Sequence, residues 1–205
     1  MSAALTLYCS KTSPFARKVR VVIEELGLTE RVQEVVADPF NPPAELLAAN
    51  PLSRIPTLVT ERGLGLPDSS LIIDYLLKLK PGGLPRPPAG SRRWAARRRQ
   101  LLAEGVLEAA VASILEKRRP ESIVYPAFLD RQAAVIGRAL DALEAEHTRL
   151  DSSAPGLAEI TTGVALAYLD FRLPYLEWRP TRPGLAAWYP GFAQRPSMVR
   201  TQPPV

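Results

Sequence analysis

The sequence predicts an α/β unit over residues 1–79, a linker over 80–91, and an all-α unit over 92–205. Three observations carry this. Strand and helix periodicities alternate as βαβα-ββα through about the first 80 residues. The segment KPGGLPRPPAGS, residues 80–91, holds four prolines and three glycines and breaks every pattern. Beyond it every long apolar stretch keeps helical spacing, and none alternates like a strand.

The elements follow in order. LTLY, residues 5–8, alternates and is rich in β-formers, so it reads as a strand. Phe15, Val19, Val22, Ile23 and Leu26 then recur at helical spacing, with Gly27 as the stop. RVQEVV, residues 31–36, is a second strand, and DPFNPP, residues 38–43, is loop. AELLAAN is at most a short helix, closed by Asn50-Pro51. IPTLVT, residues 55–60, and GLGL, residues 63–66, are strands joined by a turn at Arg62-Gly63. Asp68, Ser69 and Ser70 cap a helix whose apolar face is Leu71, Ile72, Tyr75, Leu76 and Leu79. In the second unit, residues 91–118 are periodic through Trp94, Leu101, Leu102, Val106, Leu107, Ala110 and Ile114. Residues 128–150 are periodic through Phe128, Val135, Ile136, Leu140 and Leu143. Residues 160–173 form a buried helix, and 184–198 form one or two short ones.

Bulk properties narrow the function classes. No apolar run approaches the roughly 20 residues of a membrane span. The N-terminus MSAALTLYCS shows no basic region followed by an apolar core, so no signal peptide is expected. The single cysteine, Cys9, excludes an internal disulfide framework and a C-x-x-C dithiol, and points to a reducing, cytoplasmic setting. The net charge of +5 is mild and concentrates in SRRWAARRRQ, residues 91–100. No nucleic-acid fold signature accompanies it, so it reads as a solvated helix face. Asp, His and Cys show no metal-ligand spacing. The lone His147 lies on an expected helix with no catalytic partner and reads as structural.

The segment KTSPFARKVR, residues 11–20, is the sharpest chemical signal. Ser13 suits an N-cap and Pro14 the first helical position. A hydroxyl at a helix N-terminus is also well placed to hold an anion. With this segment the chain resembles a cytosolic glutathione S-transferase of the bacterial type. The resemblance rests on SPFARKVRVVIEELGL (13–28), NPLSRIPTLV (50–59), DSSLIIDYL (68–76), ITTGVALAYLDFR (160–172) and RPSMVRTQPP (195–204), in the family's order and spacing. It implies a thioredoxin-like N-terminal domain, an all-α C-terminal domain and a homodimer.

The resemblance also implies roles. A cis-proline is expected at Ile55-Pro56, where the Ile55 backbone pairs with the cysteinyl unit of glutathione. The Ser69 hydroxyl and N–H receive the γ-glutamyl carboxylate, and Asp68 receives the α-ammonium. Ser13 falls at the family's thiol-activating position, with Phe15 and Arg54 completing the glutathione-binding set. The implied activity is conjugation of glutathione, as co-substrate, to a small hydrophobic electrophile in detoxification. Two alternatives stay open: a glutathione-binding module without turnover, and a thiol-exchange reductase or isomerase using Cys9. Tyr8, Ser10 and Thr12 are rival thiol contacts, and Arg17 and Arg54 are candidates for the glycyl carboxylate. Where the family commonly places Ser or Thr and then Asp as a capping box, this chain has Gly156 and Glu159.

Overall fold

The computed structural model of the chain describes residues 5–85 and 89–204. Its elements run β1 (Leu5–Cys9), α1 (Pro14–Glu25), β2 (Val32–Val36), α2 (Ala44–Ala49), β3 (Thr57–Val59), β4 (Gly65–Pro67), α3 (Ser69–Leu79), α4 (Ser91–Lys117), α5 (Pro126–Glu144), α6 (Leu157–Arg172), α7 (Pro183–Ala193) and α8 (Pro196–Arg200). They divide into two compact units, Met1–Leu84 with Pro196–Val205, and Pro85–Arg195. Residues 86–88 of the expected linker lie outside the described residues.

In the first unit the sheet order is β2-β1-β3-β4, with β1 and β2 parallel and the other pairs antiparallel. This is the thioredoxin-like arrangement expected. Strand β1 is central. Its alternation buries Leu5, Leu7 and Cys9 completely and leaves Thr6 and Tyr8 half-buried. Helices α1 and α3 pack together, and α2 packs on β3 and β4. The α2–β4 contact is so close that a Cβ at Gly65 would stand 1.9 Å from the Ala49 carbonyl oxygen, so only glycine fits there.

The C-terminal segment departs from the sequence reading, which assigned residues up to 205 to the helical unit. Residues Pro196–Val205 belong to the first unit instead, and α8 packs on α1. The physical cause is the polar side of α1. Arg17 and Arg20 are buried, and buried guanidiniums need acceptors. The Arg17 Nη2 donates to the Met198 carbonyl at 3.0 Å, and the Arg20 Nη1 donates to that of Thr201 at 3.3 Å. Arg20 also pairs with Glu34 at 2.7 Å, and Arg200 with Glu24 at 2.6 Å.

In the second unit α4 packs on α5 and α6, and α6 on α7. Helix α6 is buried from Ala158 through Leu169. A Cβ at Gly163 would fall 2.3 Å from the Phe192 ring, which permits the close approach of α7. The start of α6 keeps half of a capping box: Gly156 N–H donates to the Glu159 carboxylate at 2.9 Å, and glycine has no hydroxyl for the reciprocal bond. Trp94 and Leu101, expected on the apolar face of α4, are 72% and 51% exposed. At 27 residues α4 is about 40 Å long, whereas α6 has 16 residues and is about 24 Å, so α6 cannot cover every turn of α4.

The Glu144 carboxylate accepts from Gly184 N–H at 2.7 Å and from Leu185 N–H at 2.8 Å, capping α7 from the end of α5. His147 Nδ1 lies 2.8 Å from the Glu144 carbonyl oxygen, and its ring packs on Gly184. Glu144→Gln keeps one of the two bonds at best and loses the charge at a helix N-terminus. It should cost about 1–2 kcal/mol, read as a lowered urea midpoint at unchanged slope.

Candidate functional site

The pairing register brings three segments to one end of the first unit's sheet. Tyr8 of β1 lies beside Thr57 of β3, and Thr57 beside Pro67 of β4. The residues that follow β1, precede β3 and follow β4 therefore emerge at the same end. They lead to Ser13, to Arg54-Ile55-Pro56 and to Asp68-Ser69. Two strand spacings separate β1 from β4, about 10 Å, which is close to the length of an extended tripeptide.

The first segment is the start of α1. Ser13 is its N-cap, with Oγ accepting from Ala16 N–H at 3.3 Å and the carbonyl accepting from Arg17 N–H at 2.9 Å. Pro14 has no N–H. Among the described residues the Phe15 N–H meets no acceptor, so one orphan donor remains at a helix N-terminus beside a hydroxyl. Ser13 and Phe15 are half-buried. Ser10 and Thr12 are engaged with each other: their hydroxyls are 3.1 Å apart, and Ser10 Oγ accepts from Thr12 N–H at 3.3 Å.

The second segment turns through a cis Ile55-Pro56 bond. Pro56 is buried, Ile55 half-buried and Arg54 exposed. Asn50, fully buried, organises the turn from inside. Its amide nitrogen donates to the Arg54 carbonyl at 3.1 Å and to Thr57 Oγ1 at 2.8 Å, and its oxygen accepts from Leu52 N–H at 3.0 Å. Thr57 Oγ1 in turn donates to the Arg54 carbonyl at 2.7 Å. Asn50 and Thr57 were missed as site residues because Asn-Pro reads simply as a helix stop. The polar Thr57 within an otherwise apolar IPTLV was the available signal.

The third segment is the start of α3. Asp68 is its N-cap at φ 74° and ψ 137°, a conformation that non-glycine residues rarely hold. Its carboxylate accepts from Ser70 N–H at 2.7 Å and its carbonyl from Ile72 N–H at 3.1 Å. Among the described residues the N–H groups of Ser69 and Leu71 meet no acceptor. Ser69 is buried and Asp68 exposed. Both helix starts thus pair a hydroxyl with unengaged N–H donors, an arrangement suited to anions.

Two other candidates move away from this chemistry. Arg17 is buried and bound to the C-terminal segment, so it does not offer its guanidinium to a glycyl carboxylate. Cys9 is fully buried, and its thiol is pushed up to about 11, first by burial and then by the Glu34 carboxylate, with Arg20 and Lys11 opposing. Only the thiolate exchanges disulfides. In the native protein Cys9 should therefore resist a thiol-specific disulfide reagent at pH 8, and react once denaturant unfolds the chain. Because the fold raises this pKa above its unfolded value, the stability it contributes is full below pH 9 and falls as pH rises toward 11.

Among the described residues no cluster of His, Cys, Asp and Glu is arranged to hold a metal ion, and no helix is long and apolar enough to cross a membrane.

A sequence profile of the glutathione S-transferase N-terminal domain matches residues 12–79, and one of the C-terminal domain matches residues 126–189. The uncharacterized GST-like protein YibF of Escherichia coli K12 is 36% identical over 98% of this chain and 99% of its own. A glutathione transferase family member from Pseudomonas fluorescens Pf-5, solved with bound glutathione, is 42% identical with a TM-score of 0.91, covering 98% of this chain and 100% of that one. A glutathione S-transferase from Methylobacillus flagellatus KT, also solved with glutathione, is 34% identical with a TM-score of 0.88 over 98% and 100%. The agreement runs through both units, and the chain belongs to the glutathione S-transferase family.

Proposed function

We propose that this protein is a glutathione transferase that binds glutathione across the shared end of its sheet and activates the thiol with Ser13. The observation that carries the proposal is the register line Tyr8–Thr57–Pro67, which gathers two helix starts and the Ile55-Pro56 turn at one sheet end. The γ-glutamyl carboxylate is held by the Ser69 hydroxyl and N–H, and the α-ammonium by Asp68. The cysteinyl unit pairs with the Ile55 backbone against Pro56, and Arg54 takes the glycyl carboxylate. The thiolate rests against the Ser13 hydroxyl and the Phe15 N–H, where the positive end of α1 favours negative charge. Glutathione bound in the relatives from Pseudomonas fluorescens and Methylobacillus flagellatus supports this ligand.

In the reaction the glutathione thiol loses its proton to solvent, and the sulfur lone pair attacks an electrophilic carbon, forming a thioether as the leaving group departs with its electrons. The catalytic contribution is positioning and thiolate stabilisation. The second substrate is a small hydrophobic electrophile, no metal takes part, and the protein works as a cytoplasmic homodimer in detoxification.

Calorimetric titration with glutathione, together with turnover of a dinitrohalobenzene, tests the reading. Wild type should bind and conjugate, and Ser69→Ala should weaken binding about tenfold, equivalent to about 1.4 kcal/mol. Binding without turnover would leave a glutathione receptor, and no binding would overturn the proposal.

A further inference from the structure

Helix α1 is buried all the way round from Ala16 to Ile23, two arginines and a lysine included. A helix on a sheet ordinarily keeps its polar side in water. Here the C-terminal segment of the same unit is tied to that side, with side-chain links running along the helix. Arg17 Nη2 donates to the Met198 carbonyl at 3.0 Å, and Arg17 Nε donates to Thr201 Oγ1 at 3.5 Å. Arg20 Nη1 donates to the Thr201 carbonyl at 3.3 Å, Glu24 pairs with Arg200 at 2.6 Å, and the Ser197 hydroxyl donates to Glu25. Thr201 is itself fixed: it is 2% exposed, and its Oγ1 donates to the Ser197 carbonyl at 2.7 Å.

Arg17 is the link nearest the helix start. Side chains on a helix lean toward its N-terminus, so the Arg17 side chain leans over the turn that opens with Ser13. The Ser13 carbonyl accepts from Arg17 N–H at 2.9 Å, so the residue tied to the C-terminal segment is also the one that closes the first turn. That turn gains from an outside hold. Pro14 brings no N–H, the bond from Ala16 N–H to Ser13 Oγ is long at 3.3 Å, and helix ends fray.

We propose that Arg17 is a positioning residue for the thiol contact: the C-terminal segment, through Met198 and Thr201, holds the first turn of α1 so that the Ser13 hydroxyl and the Phe15 N–H keep a fixed direction. A donor stabilises developing charge well only when it is held to within about 0.5 Å of its working position. The catalytic half of this role rests on Ser13 being the thiol contact, and the mechanical half does not.

Amide exchange in the glutathione-free protein tests the mechanical half, and the thiolate absorbance of bound glutathione tests the catalytic half. In Arg17→Met the amides of residues 16 and 17 should exchange about tenfold faster than in wild type, while those of Ser70 and Ile72 at the start of α3 stay within about twofold. The bound thiol should titrate about one unit closer to its free value, with glutathione affinity kept within about threefold. Thr201→Val alters no charge and should show the same pattern at about threefold in exchange, with Thr201→Ser restoring wild-type behaviour. It carries the test if the Arg17 variant does not fold. In a Ser13→Ala background Arg17→Met should move the thiol no further, because it acts through Ser13. Equal acceleration at α1 and α3, or an unmoved first turn, would overturn the clamp. A first turn that loosens while the bound thiol stays in place, in a protein whose thiol does respond to Ser13→Ala, would overturn the catalytic half. A wild-type thiol that titrates at its free value would overturn the proposed function and the catalytic half with it, and the exchange rates would still decide the mechanical half.

Discussion

Ser13→Ala should lower kcat/KM for conjugation by about 10- to 100-fold while leaving glutathione affinity within a few-fold of wild type. In the proposed complex the Ser13 hydroxyl donates to the glutathione thiolate and not to the neutral thiol. Removing it therefore raises the bound thiol's pKa, at about 1.4 kcal/mol per unit, and each unit lost cuts the thiolate present at pH 7 about tenfold. The same substitution removes the cap on Ala16 N–H, which costs about 1 kcal/mol of stability. The two effects separate experimentally. The cap alone lowers the melting temperature and leaves kcat intact in the folded protein, whereas the thiolate contact moves the pH profile of kcat/KM. Ser13→Thr keeps both a cap and a hydroxyl donor, and should recover most of each.

Asn50→Ala should be the most damaging single change at the site end of the sheet. It deletes two donated bonds and one accepted bond inside the protein, and it strands the Leu52 N–H beside a small void. The cost is about 2–4 kcal/mol from the lost bonds and the void together. Because the Arg54 carbonyl then depends on Thr57 alone, the turn carrying Ile55 loosens. KM for glutathione should rise more than kcat falls. Thr57→Val removes only the hydroxyl and should cost less, about 1–2 kcal/mol. Urea titration of the two variants gives the stabilities, and initial rates give the KM and kcat split. If Asn50→Ala lowers kcat and leaves KM unchanged, the turn does not serve glutathione binding.

How far the sequence reached depended on whether local chemistry decided the outcome. The α1 boundary was readable because Ser13 and Pro14 are residues whose side chains dictate a helix start. Strand β1 was readable because alternation survives in a central strand with one face fully buried. The face of α4 was misjudged at Trp94 and Leu101, since periodicity identifies a stripe and not the length of the partner helices. Arg17 stands in the sequence as a candidate for the glycyl carboxylate because a basic residue on a helix ordinarily keeps its charge at the surface. Its burial follows from a contact 181 residues away with Met198, and no local pattern encodes that distance. The site followed the same rule. Asp68, Ser69 and Ser13 announced themselves as caps, while Asn50 acts through a turn that closes only when β3 is in place.

The central claim is that the end of α1 stabilises a thiolate. The most direct measurement is the pH dependence of ultraviolet thiolate absorbance for glutathione bound to the wild-type protein. The account predicts a bound thiol pKa at least one unit below the free value of about 8.5, with the depression lost in Ser13→Ala. A bound thiol that titrates at its free value, or a depression that survives the substitution, would contradict it.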